Sequence, residues 1–541
     1  GLAGATSAPF SITTGTATKL AFVQSPTSTT GGATIAPAVT VEVEDAGGNR
    51  VTSAINSITV AIGTNPNNGT LGGPKTVGAS SGLATFSNLS IDSAGPGYTL
   101  TASASGLIGA TSSPFNITVG TANKLGFFVQ PSSTTGGATI TPPVQVEVRD
   151  AGGNRVTSAI NSITVAIGTN PNAGTLGGLK TVSAVNGLAS FSNLSIDSAG
   201  TGYTLAASAT GLASAASSPF TISVGAATKL GFRVQPNSPT GGVAFSPIQV
   251  EVRDAGGNRV TSASTSIQLT LNGGDAAAVL SGSNPVSAVS GLATFSGLSV
   301  DSAASNYTLV ATGGGFTQAT STPFNVTVGP AVRLGFHIQP TNTVAGASIT
   351  LAIQVEIEDA GGNRVTSGGP VSVGIAILNN AGGGTLSGTT PKNSSNGLAT
   401  FSNLSINKTG TGYTLQATAS GLTAVTSTAF DITPAAADHL TFVVQPTNTI
   451  GGQTISPAVV VEIRDAFENL VTNATNQVTM AIGNNPGVPT PGTLTTTLQV
   501  NAVGGQATFS DLQIDNPGAG YTLTATAAGL TGAISDPFDI L

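Results

Sequence analysis

Phe86–Leu100 reads FSNLSIDSAGPGYTL, and it decides the fold because close copies of it recur four more times along the 541 residues. The copies are Phe191–Leu205, Phe295–Leu309, Phe401–Leu415 and Phe509–Leu523. Each copy holds one of the five tyrosines of the chain, always after a turn-prone segment: Tyr98, Tyr203, Tyr307, Tyr413 and Tyr521. One residue type in one recurring setting indicates one structural role. We expect corner tyrosines, whose rings cap a β-sandwich core while their hydroxyls bond to nearby backbone.

The whole chain follows the same repeat. Equivalent positions at Lys19, Lys124, Lys229, Arg333 and His439 are separated by 105, 105, 104 and 106 residues, a length that matches one sandwich domain. The predicted segments are residues 1–15, the terminal strand of a preceding repeat, then unit 1 (16–120), unit 2 (121–225), unit 3 (226–329), unit 4 (330–435) and unit 5 (436–541). Because the chain begins and ends at the same phase of the repeat, we expect it to be a segment of a longer array.

Unit 2 illustrates the strand pattern. Its Val144–Arg149 segment reads VQVEVR, so the valines face one way and the polar residues the other, as in a half-buried strand. Asp150–Asn154, which reads DAGGN, predicts a turn because Gly and Asn tolerate positive φ. The predicted strands are Leu125–Gln130, Val144–Arg149, Ser162–Ile167, Lys180–Ala184, Leu188–Ile196, Tyr203–Ser208 and Phe220–Val224. No segment has helical periodicity with caps, so each unit is predicted to be an all-β sandwich of seven to eight strands.

Composition excludes several classes of function. The net charge of −7 and the absence of any basic cluster argue against nucleic acid or an anionic membrane surface as partner. No apolar run reaches the roughly 18 residues of a membrane-spanning helix, so we expect no direct membrane insertion. Cysteine is absent, which excludes disulfides and thiolate metal sites. The two histidines, His337 and His439, are in different register, so no repeated acid–base site can use them; we predict no enzymatic activity and no cofactor.

Short connections predict an extended arrangement of the units. Val119–Asn123 is all that separates the last predicted strand of unit 1 from the first of unit 2. A linker of about five residues has little reach, so neighbouring units should lie nearly end to end. With domains of ordinary size, five units would form an elongated rod on the order of 200 Å long.

The recurring motifs resemble those of bacterial immunoglobulin-like (Ig-like) domains, in particular the tandem repeats of invasin- and intimin-type surface adhesins and related giant surface repeat proteins. The motifs that carry the resemblance are Asp45–Val51, Gly82–Phe86 and Ala94–Gly106, with their copies in the later units. The resemblance covers nearly the whole chain and implies tandem Ig-like β-sandwich domains. It also implies an extracellular or cell-surface location, with the repeats serving as a stalk or as adhesive modules.

A repeated aspartate is a candidate metal ligand. Each DAGGN or DAFEN turn begins with one: Asp45, Asp150, Asp254, Asp359 and Asp465. With Glu42 and Asp92 in unit 1, these carboxylates could supply oxygen ligands to calcium between domains. The alternative is that each aspartate caps its own turn by accepting bonds from backbone N–H groups, and this is the interpretation we favour. We therefore predict no metal site.

The lysines at Lys19, Lys124 and Lys229 raise the question of lysine–asparagine isopeptide cross-links. Arg333 and His439 take the same position in units 4 and 5, and neither residue can form that bond. We interpret these side chains as solvated charges that discourage pairing at a strand edge.

Three functions are compatible with this sequence. The first is an extracellular structural rod or stalk of tandem repeats, part of a cell-surface or filament protein. The second is an adhesin segment that binds a glycan or host protein through unit 3, where Gln268–Asn284 departs from its neighbours. The third is a self-assembling filament subunit in which Ser7–Thr13 adds as a strand to a neighbouring chain, so that the partners are copies of itself or other surface proteins.

Overall fold

The computed structural model describes residues 4–541, and every regular element in that range is a β-strand. The prediction of an all-β array of Ig-like sandwiches is therefore confirmed. Between residues 4 and 541 the chain forms no helix, and so it contains none that could cross a membrane.

Unit 2 shows the architecture that the other units share. Its strands are Lys124–Val129, Thr134–Thr135, Val144–Arg149, Ser162–Ile167, Leu176–Gly177, Thr181–Ser183, Leu188–Phe191, Ser195–Ile196, Gly200–Tyr203, Leu205–Ser208, Ala215–Ala216 and Phe220–Ser223. The strands of unit 1 are Lys19–Gln24, Thr29–Thr30, Val39–Glu44, Ser57–Ile62, Leu71–Gly72, Thr76–Gly78, Leu83–Phe86, Ser90–Ile91, Gly95–Tyr98, Leu100–Ser103, Ala110–Thr111 and Phe115–Thr118. The two units thus have the same order of strands.

The last three units keep this order with fewer strands, 10 in unit 3 and 11 each in units 4 and 5, because two neighbouring strands merge or a two-residue strand is missing. The strands of unit 3 are Lys229–Val234, Ile248–Arg253, Ser266–Asn272, Leu280–Ser281, Val286–Ser287, Leu292–Phe295, Ser299–Val300, Ala304–Thr312, Ala319–Thr320 and Phe324–Val326. Those of unit 4 are Arg333–Ile338, Thr343–Val344, Ile353–Glu358, Ser372–Asn379, Leu386–Ser387, Lys392–Asn393, Leu398–Phe401, Ser405–Ile406, Gly410–Thr418, Val425–Thr426 and Phe430–Thr433. Those of unit 5 are Ala437–Val444, Val459–Asp465, Gln477–Ile482, Leu494–Thr495, Gln499–Asn501, Gln506–Phe509, Gln513–Ile514, Gly518–Tyr521, Leu523–Thr526, Ala533–Ile534 and Phe538–Ile540.

Two principal antiparallel sheets enclose the core of unit 2. In the first sheet, Val144–Arg149 is the central strand and pairs with Lys124–Val129 on one side and Leu188–Phe191 on the other. The order of the second sheet is Thr181–Ser183, Ser162–Ile167, Leu205–Ser208 and Ala215–Ala216. A smaller sheet continues the sandwich toward unit 3: Phe220–Ser223 is parallel to Thr134–Thr135 and antiparallel to Gly200–Tyr203.

Alternation along the strands gives each unit its own core. Val144, Val146 and Val148 are fully buried, and Ile163 and Val165 face them from the second sheet. Burying a side chain of this size contributes roughly 1.5–3 kcal/mol. Within residues 4–541 the buried apolar side chains form five separate clusters, which span Leu20–Ile117, Leu125–Ile222, Leu230–Val326, Leu334–Ile432 and Leu440–Ile540. Each sandwich thus has its own hydrophobic core, separate from those of its neighbours.

Unit 2 contains more strand segments than the alternation predicted. The predicted strand Leu188–Ile196 is two strands, Leu188–Phe191 and Ser195–Ile196, because the chain changes sheets at Leu194. The first half pairs with Val144–Glu147, and the second pairs with Leu176–Gly177. Such two-residue ladders close the ends of the sandwich, and hydrophobic alternation cannot reveal them because a single two-residue period does not establish a pattern.

The predicted terminal strand at residues 1–15 lies partly outside the described residues. Residues 4–18 form no strand, and Phe10 and Ile12 are about four-fifths exposed, at 79% and 82%. The equivalent Phe115 and Ile117 of unit 1 are buried, because their strand pairs with Gly95–Tyr98. Ser7–Thr13 has the sequence of a last strand, but within the described residues it pairs with no other strand.

Candidate functional site: the joints between units

The DAGGN segment of unit 2, Asp150–Asn154, is a tight turn organised by its own aspartate. The Asp150 Oδ1 accepts hydrogen bonds from the Asn154 backbone N–H at 2.8 Å and from Asn154 Nδ2 at 3.1 Å. Asn154 Nδ2 also lies 3.0 Å from Asp150 Oδ2. Asp150 is fully buried, so these bonds replace the water that the carboxylate loses. We call this five-residue segment, and its equivalent in each unit, the head turn.

The Asn154 side chain crosses from unit 2 to unit 1. Its Nδ2 donates to the carbonyl oxygen of Asp92 at 2.7 Å, and its Oδ1 accepts from the backbone N–H of Ala94 at 2.8 Å. One carboxamide therefore satisfies a carbonyl and an N–H group that flank Ser93 in the preceding unit. We call Asp92–Ala94, together with Gly31–Gly32, the tail of unit 1, and the contact of a tail with a head turn a joint.

Glycines let the backbones of the two units touch. A Cβ on Gly152 would overlap the Asp92 carbonyl oxygen and lie 2.7 Å from the carbonyl carbon of Gly31. On the other side of the joint, a Cβ on Gly32 would lie 2.7 Å from the Gly152 nitrogen, and Gly32 has a φ of +76°. In this joint the glycines at both positions allow the two backbones to approach this closely, and a side chain at either position would require the backbone of the other unit to move.

The linker between the units is itself anchored to the head turn. The Gly120 N–H donates to Asp150 Oδ2 at 2.9 Å, and the Asn123 N–H donates to the Arg149 carbonyl at 2.8 Å. The Gly31 N–H donates to the Thr118 carbonyl at 2.9 Å, which fixes the tail to the last strand of unit 1. Asp150 thus holds the linker and the head turn with one carboxylate.

The other three joints use the same atoms. The asparagine Nδ2 donates to the tail carbonyl of the preceding unit at 2.7–2.9 Å in the pairs Asn258–Asp197, Asn363–Asp301 and Asn469–Asn407. The asparagine Oδ1 accepts from the tail N–H at 2.7–3.0 Å in the pairs Asn258–Ala199, Asn363–Ala303 and Asn469–Thr409. The linker N–H donates to the aspartate Oδ2 at 2.8–2.9 Å in the pairs Gly225–Asp254, Gly329–Asp359 and Ala435–Asp465.

The joint between units 4 and 5 differs in its packing. Phe467 and Glu468 replace the two glycines of the head turn, and the Phe467 ring lies directly against Gly346 of unit 4. Lys408 Nζ of unit 4 donates to the Phe467 carbonyl at 2.6 Å. The tail of unit 5 also differs, because Pro517 occupies the position of Ala94 and Ala199 and has no N–H to donate.

The five tyrosines support the tails. Each is fully buried, and its hydroxyl donates to the carbonyl five residues earlier at 2.8–3.0 Å, in the pairs Tyr98–Ser93, Tyr203–Ser198, Tyr307–Ser302, Tyr413–Lys408 and Tyr521–Asn516. In units 1 to 4 this accepting residue lies between the two backbone groups that the next head turn binds. Each ring also lies beside the phenylalanine of the last strand, with centroids 5.8–6.2 Å apart. The tyrosine therefore connects the core of one unit to its joint with the next.

A tail acceptor completes this support. Asp92 Oδ1 accepts from the N–H groups of Thr70 at 2.6 Å and Ser93 at 2.7 Å. In unit 4 an amide does the same task, because Asn407 Oδ1 accepts from the Thr385 N–H at 2.7 Å. A neutral oxygen serves as well as a carboxylate here, as expected of a backbone cap.

Burial and hydrogen bonding shift the pKa values of these groups in opposite directions. Burial raises the pKa of each corner tyrosine, so the phenols stay neutral well into the alkaline range. The N–H groups of Asn49 and Gly15 lower the pKa of Asp45 from 3.8 to about 2. Burial alone would raise the pKa of Asp465, but bonds from Asn469, Ala435 and Phe467 outweigh it and lower the pKa.

Donors surround the candidate calcium ligands. The oxygens of Asp150, like those of Asp254, Asp359 and Asp465, accept bonds from N–H groups of the linker and of the head turn. Calcium requires six to eight converging oxygens instead. Glu42 lies apart and pairs with Arg50 at 2.5 Å. In residues 4–541 no group of three or more His, Asp or Glu is arranged to hold a metal ion. The geometry favours the cap, and the absence of a metal site remains our prediction.

Sequence reasoning missed the asparagines. Their partners are backbone atoms about 60 residues away in another unit, and a backbone partner leaves no trace in the sequence. One signal was available. Unit 5 replaces the two glycines of the head turn by Phe467 and Glu468 yet keeps Asp465 and Asn469. A pair retained while the residues between it change indicates a task for both side chains.

Removing one tyrosine hydroxyl should weaken both a core and a joint. We expect Tyr203→Phe to destabilise unit 2 by about 1 kcal/mol, because the partly buried Ser198 carbonyl loses its donor. Hydrogen exchange of the full chain measures this, with units 1 and 4 as internal references. Faster exchange should extend to the Ala199 amide at the joint. Unchanged exchange in both places would contradict the assigned role.

Acid should remove the contribution of Asp45. Because folding lowers its pKa to about 2, the ionised side chain adds stability above roughly pH 4 and loses that effect as the pH falls toward 2. We therefore expect Asp45→Asn to destabilise unit 1 at pH 7 and to make little difference near pH 2. Denaturant unfolding followed by hydrogen exchange between these pH values tests this, and an equal effect at every pH would refute it.

Calcium should leave the joints unchanged. Since N–H groups already occupy the aspartate oxygens, we expect the same unfolding temperature in calcium and in a chelator. Differential scanning calorimetry of the full chain measures it, with Asp254→Asn as a variant that lacks one carboxylate. A rise of several degrees in calcium that this variant reduces would establish the metal site.

Comparison with known proteins gives likenesses to solved structures only. No family model matches the chain, and no curated protein matches it. Similar solved structures include FdeC, an Escherichia coli adhesin, at 18% identity over 59% of this chain and 98% of that one, with a TM-score of 0.22. The Yersinia pseudotuberculosis adhesin InvE matches at 20% identity over 38% of this chain and 58% of that one, with a TM-score of 0.19. Immunoglobulin domains 1–5 of Sidekick-1 match at 12% identity over 97% and 99%, with a TM-score of 0.18. Because each TM-score is below 0.5, none of these likenesses indicates what the present chain binds or does.

Proposed function

We propose that this chain is a non-enzymatic spacer: a stiff, extracellular or cell-surface rod that holds another part of its protein away from the cell. The observation that carries the proposal is the asparagine bridge, which joins each unit to the next with the same two bonds at all four joints. Because the joints are alike, each unit bears nearly the same relation to the next. An array of this kind is extended and regular.

The energetics support stiffness. Two hydrogen bonds contribute roughly 1–3 kcal/mol to each joint, and the anchored linker removes much of the freedom that an unbound linker would have. Opening a joint exchanges the bonds of Asn154 and the Asp92 carbonyl for bonds to water and loses this net contribution. Bending at one joint therefore costs free energy that a free linker would not require.

Internal duplication supports a spacer as well. Asp45–Asn67 and Asp150–Asn172 are identical over 23 residues. Unit 2 thus repeats the head turn of unit 1, and a copy of that turn is compatible with an existing tail. Adding such a unit lengthens the array and creates no new site.

An adhesive role would use unit 3. There the segment that follows Ser266–Asn272 bends at Gly273 and Gly274, and Asn284 returns to bond Leu269 at 2.6 Å and 2.9 Å. Most residues of Gly273–Ala278 are exposed, and in this segment the sequence of unit 3 differs from those of units 1 and 2. If unit 3 is an adhesin module, substitutions in Gly273–Ala278 should abolish binding on a glycan array and leave the length of the molecule unchanged.

Strand addition between chains receives less support. In every unit the place of the last strand is taken by the unit's own segment, as Phe115–Thr118 takes it in unit 1. Ser7–Thr13 of another copy would have to displace that segment together with its buried phenylalanine. A particle length that increases with protein concentration would nevertheless support this alternative.

Glycine substitution at the joints tests the spacer. We expect Gly152→Ala, combined with Gly256→Ala and Gly361→Ala, to loosen three joints, because a methyl group at each position overlaps the tail carbonyl of the preceding unit. None of these glycines has positive φ, so the sandwiches themselves should fold normally. Small-angle scattering should give a shorter maximum dimension than the wild type, and electron micrographs should show bent particles.

Gly47→Ala is the matched control. Gly47 occupies the same place in the head turn of unit 1, where a Cβ would meet only Asn49 and Asp45 of its own turn, at 3.2 Å and 3.4 Å. The dimensions of this variant should equal those of the wild type. If the triple variant also keeps the wild-type dimensions, the joints do not stiffen the array and the spacer proposal fails.

A further inference from the structure

A cationic or imidazole side chain stands beside the head turn in every unit. Lys19, Lys124, Lys229, Arg333 and His439 begin or nearly begin the first strand. Each is paired with the residue that immediately precedes the head-turn aspartate, as Lys124 is with Arg149 and His439 is with Arg464. The side chain is therefore on the strand next to the head turn, opposite the residue that precedes the turn.

In units 2 and 3 this side chain holds the head turn directly. Lys124 Nζ donates to the Ala151 carbonyl at 3.0 Å, and Lys229 Nζ donates to the Ala255 carbonyl at 2.8 Å. In unit 4 the guanidinium of Arg333 donates to Glu358, the residue before the turn, at 2.9 Å. These three cations keep their charge throughout the physiological pH range. They therefore stabilise the head turn throughout this range. This role is more specific than the one expected from the sequence, which was to discourage pairing at a strand edge.

Unit 5 places a titratable group there instead. His439 Nδ1 lies 3.0 Å from Asp438 Oδ2, and His439 Nε2 lies 3.2 Å from Glu468 Oε1. Only the protonated imidazole carries two N–H groups, so only that form can donate to both carboxylates. The neutral ring must direct a lone pair at one of them.

The remaining charged groups around His439 keep Glu468 ionised. Arg464, on the paired strand, bonds Glu468 Oε2 at 3.2 Å and Glu462 Oε2 at 2.9 Å. The Arg464 guanidinium lowers the pKa of Glu468, and His439 adds to the effect. The head turn is also next to Lys408 of unit 4, which bonds the Phe467 carbonyl. Glu468 is therefore an anion throughout the range in which histidines titrate.

Glu468 lies between the two contacts that unit 5 makes with unit 4. Phe467 on one side packs against Gly346, and Asn469 on the other bonds Asn407 and Thr409. Glu468 itself has a φ of +61°, which is unfavourable for a residue with a side chain. Its side-chain bonds help to hold the turn in that conformation, and His439 supplies one of them.

We propose that the joint between units 4 and 5 responds to pH: protonation of His439 fastens Glu468 and tightens this joint, and deprotonation loosens it. The other three joints have permanent cations at the equivalent position and do not respond. The array then has one joint whose stiffness depends on the charge of a single imidazole. This inference depends on the joint geometry and does not require the array to serve as a spacer.

Hydrogen exchange of the full chain tests the proposal. Protection of the Thr409 amide and of residues 465–470, after correction for intrinsic exchange, should fall about two- to fivefold between pH 5 and pH 8, as expected for a partly exposed ion pair. The Ala199 amide and residues 254–258, in the joint between units 2 and 3, should change by less than this. Equal changes at both joints, or none at either, would overturn the proposal.

Two variants separate the charge from the structure. His439→Lys introduces the residue of units 1 to 3, so it should fold and keep high protection at both pH values. His439→Gln should show low protection at both. If either variant retains the pH dependence of the wild type, His439 is not its source and the proposal is wrong. Loss of the pH response would leave the glycine experiment on array length unaffected, so the two proposals can fail separately.

Discussion

The arrangement of the whole chain depends on one carboxamide per joint. Asn154 illustrates it: one of its N–H groups is shared by the Asp150 carboxylate, the other reaches the Asp92 carbonyl of the preceding unit, and its oxygen accepts from Ala94. An aspartate in its place would present two acceptors to a carbonyl and to a second carboxylate. An alanine would leave the partly buried Asp92 carbonyl and Ala94 N–H without these partners. Only an amide, with a donor and an acceptor on one planar group, satisfies both sides.

This dependence explains why the head turn, the tail and the tyrosine are found together in each unit. The tyrosine hydroxyl fixes the carbonyl of the residue between the two backbone groups that the asparagine binds, and its ring is fully buried among the sandwich side chains. The position of the tail is thus determined by the core. A loss of packing in one unit would be transmitted to the next through a loop of three residues. The geometry of each joint therefore depends on the packing of the core beside it.

The fold was predictable because it depends on side chains that repeat. Alternating valines such as Val144 and Val146 determine which face of a strand is buried, and the five tyrosines mark the corner. The short ladders were not predictable, because two-residue strands such as Ser195–Ile196 have too few side chains to show a period. The joints were predictable only in part. Asp150 was identified as the start of a turn, but the partners of Asn154 are main-chain atoms, whose positions follow from the folded shape of another unit. The task of His439 likewise required knowing that Glu468 turns toward it.

Pro517 makes the tail of unit 5 different from the tails of units 1 to 4, although the five units are similar in sequence. It occupies the tail position where Ala94, Ala199, Ala303 and Thr409 offer an N–H to the following asparagine, and an imino acid has none to offer. Units 1 to 4 could exchange places and still present both partners. A unit joined directly after unit 5 would lack one of the two asparagine bonds at its joint. Repeats of similar sequence thus differ in whether their tails can form both bonds to the asparagine of a following unit.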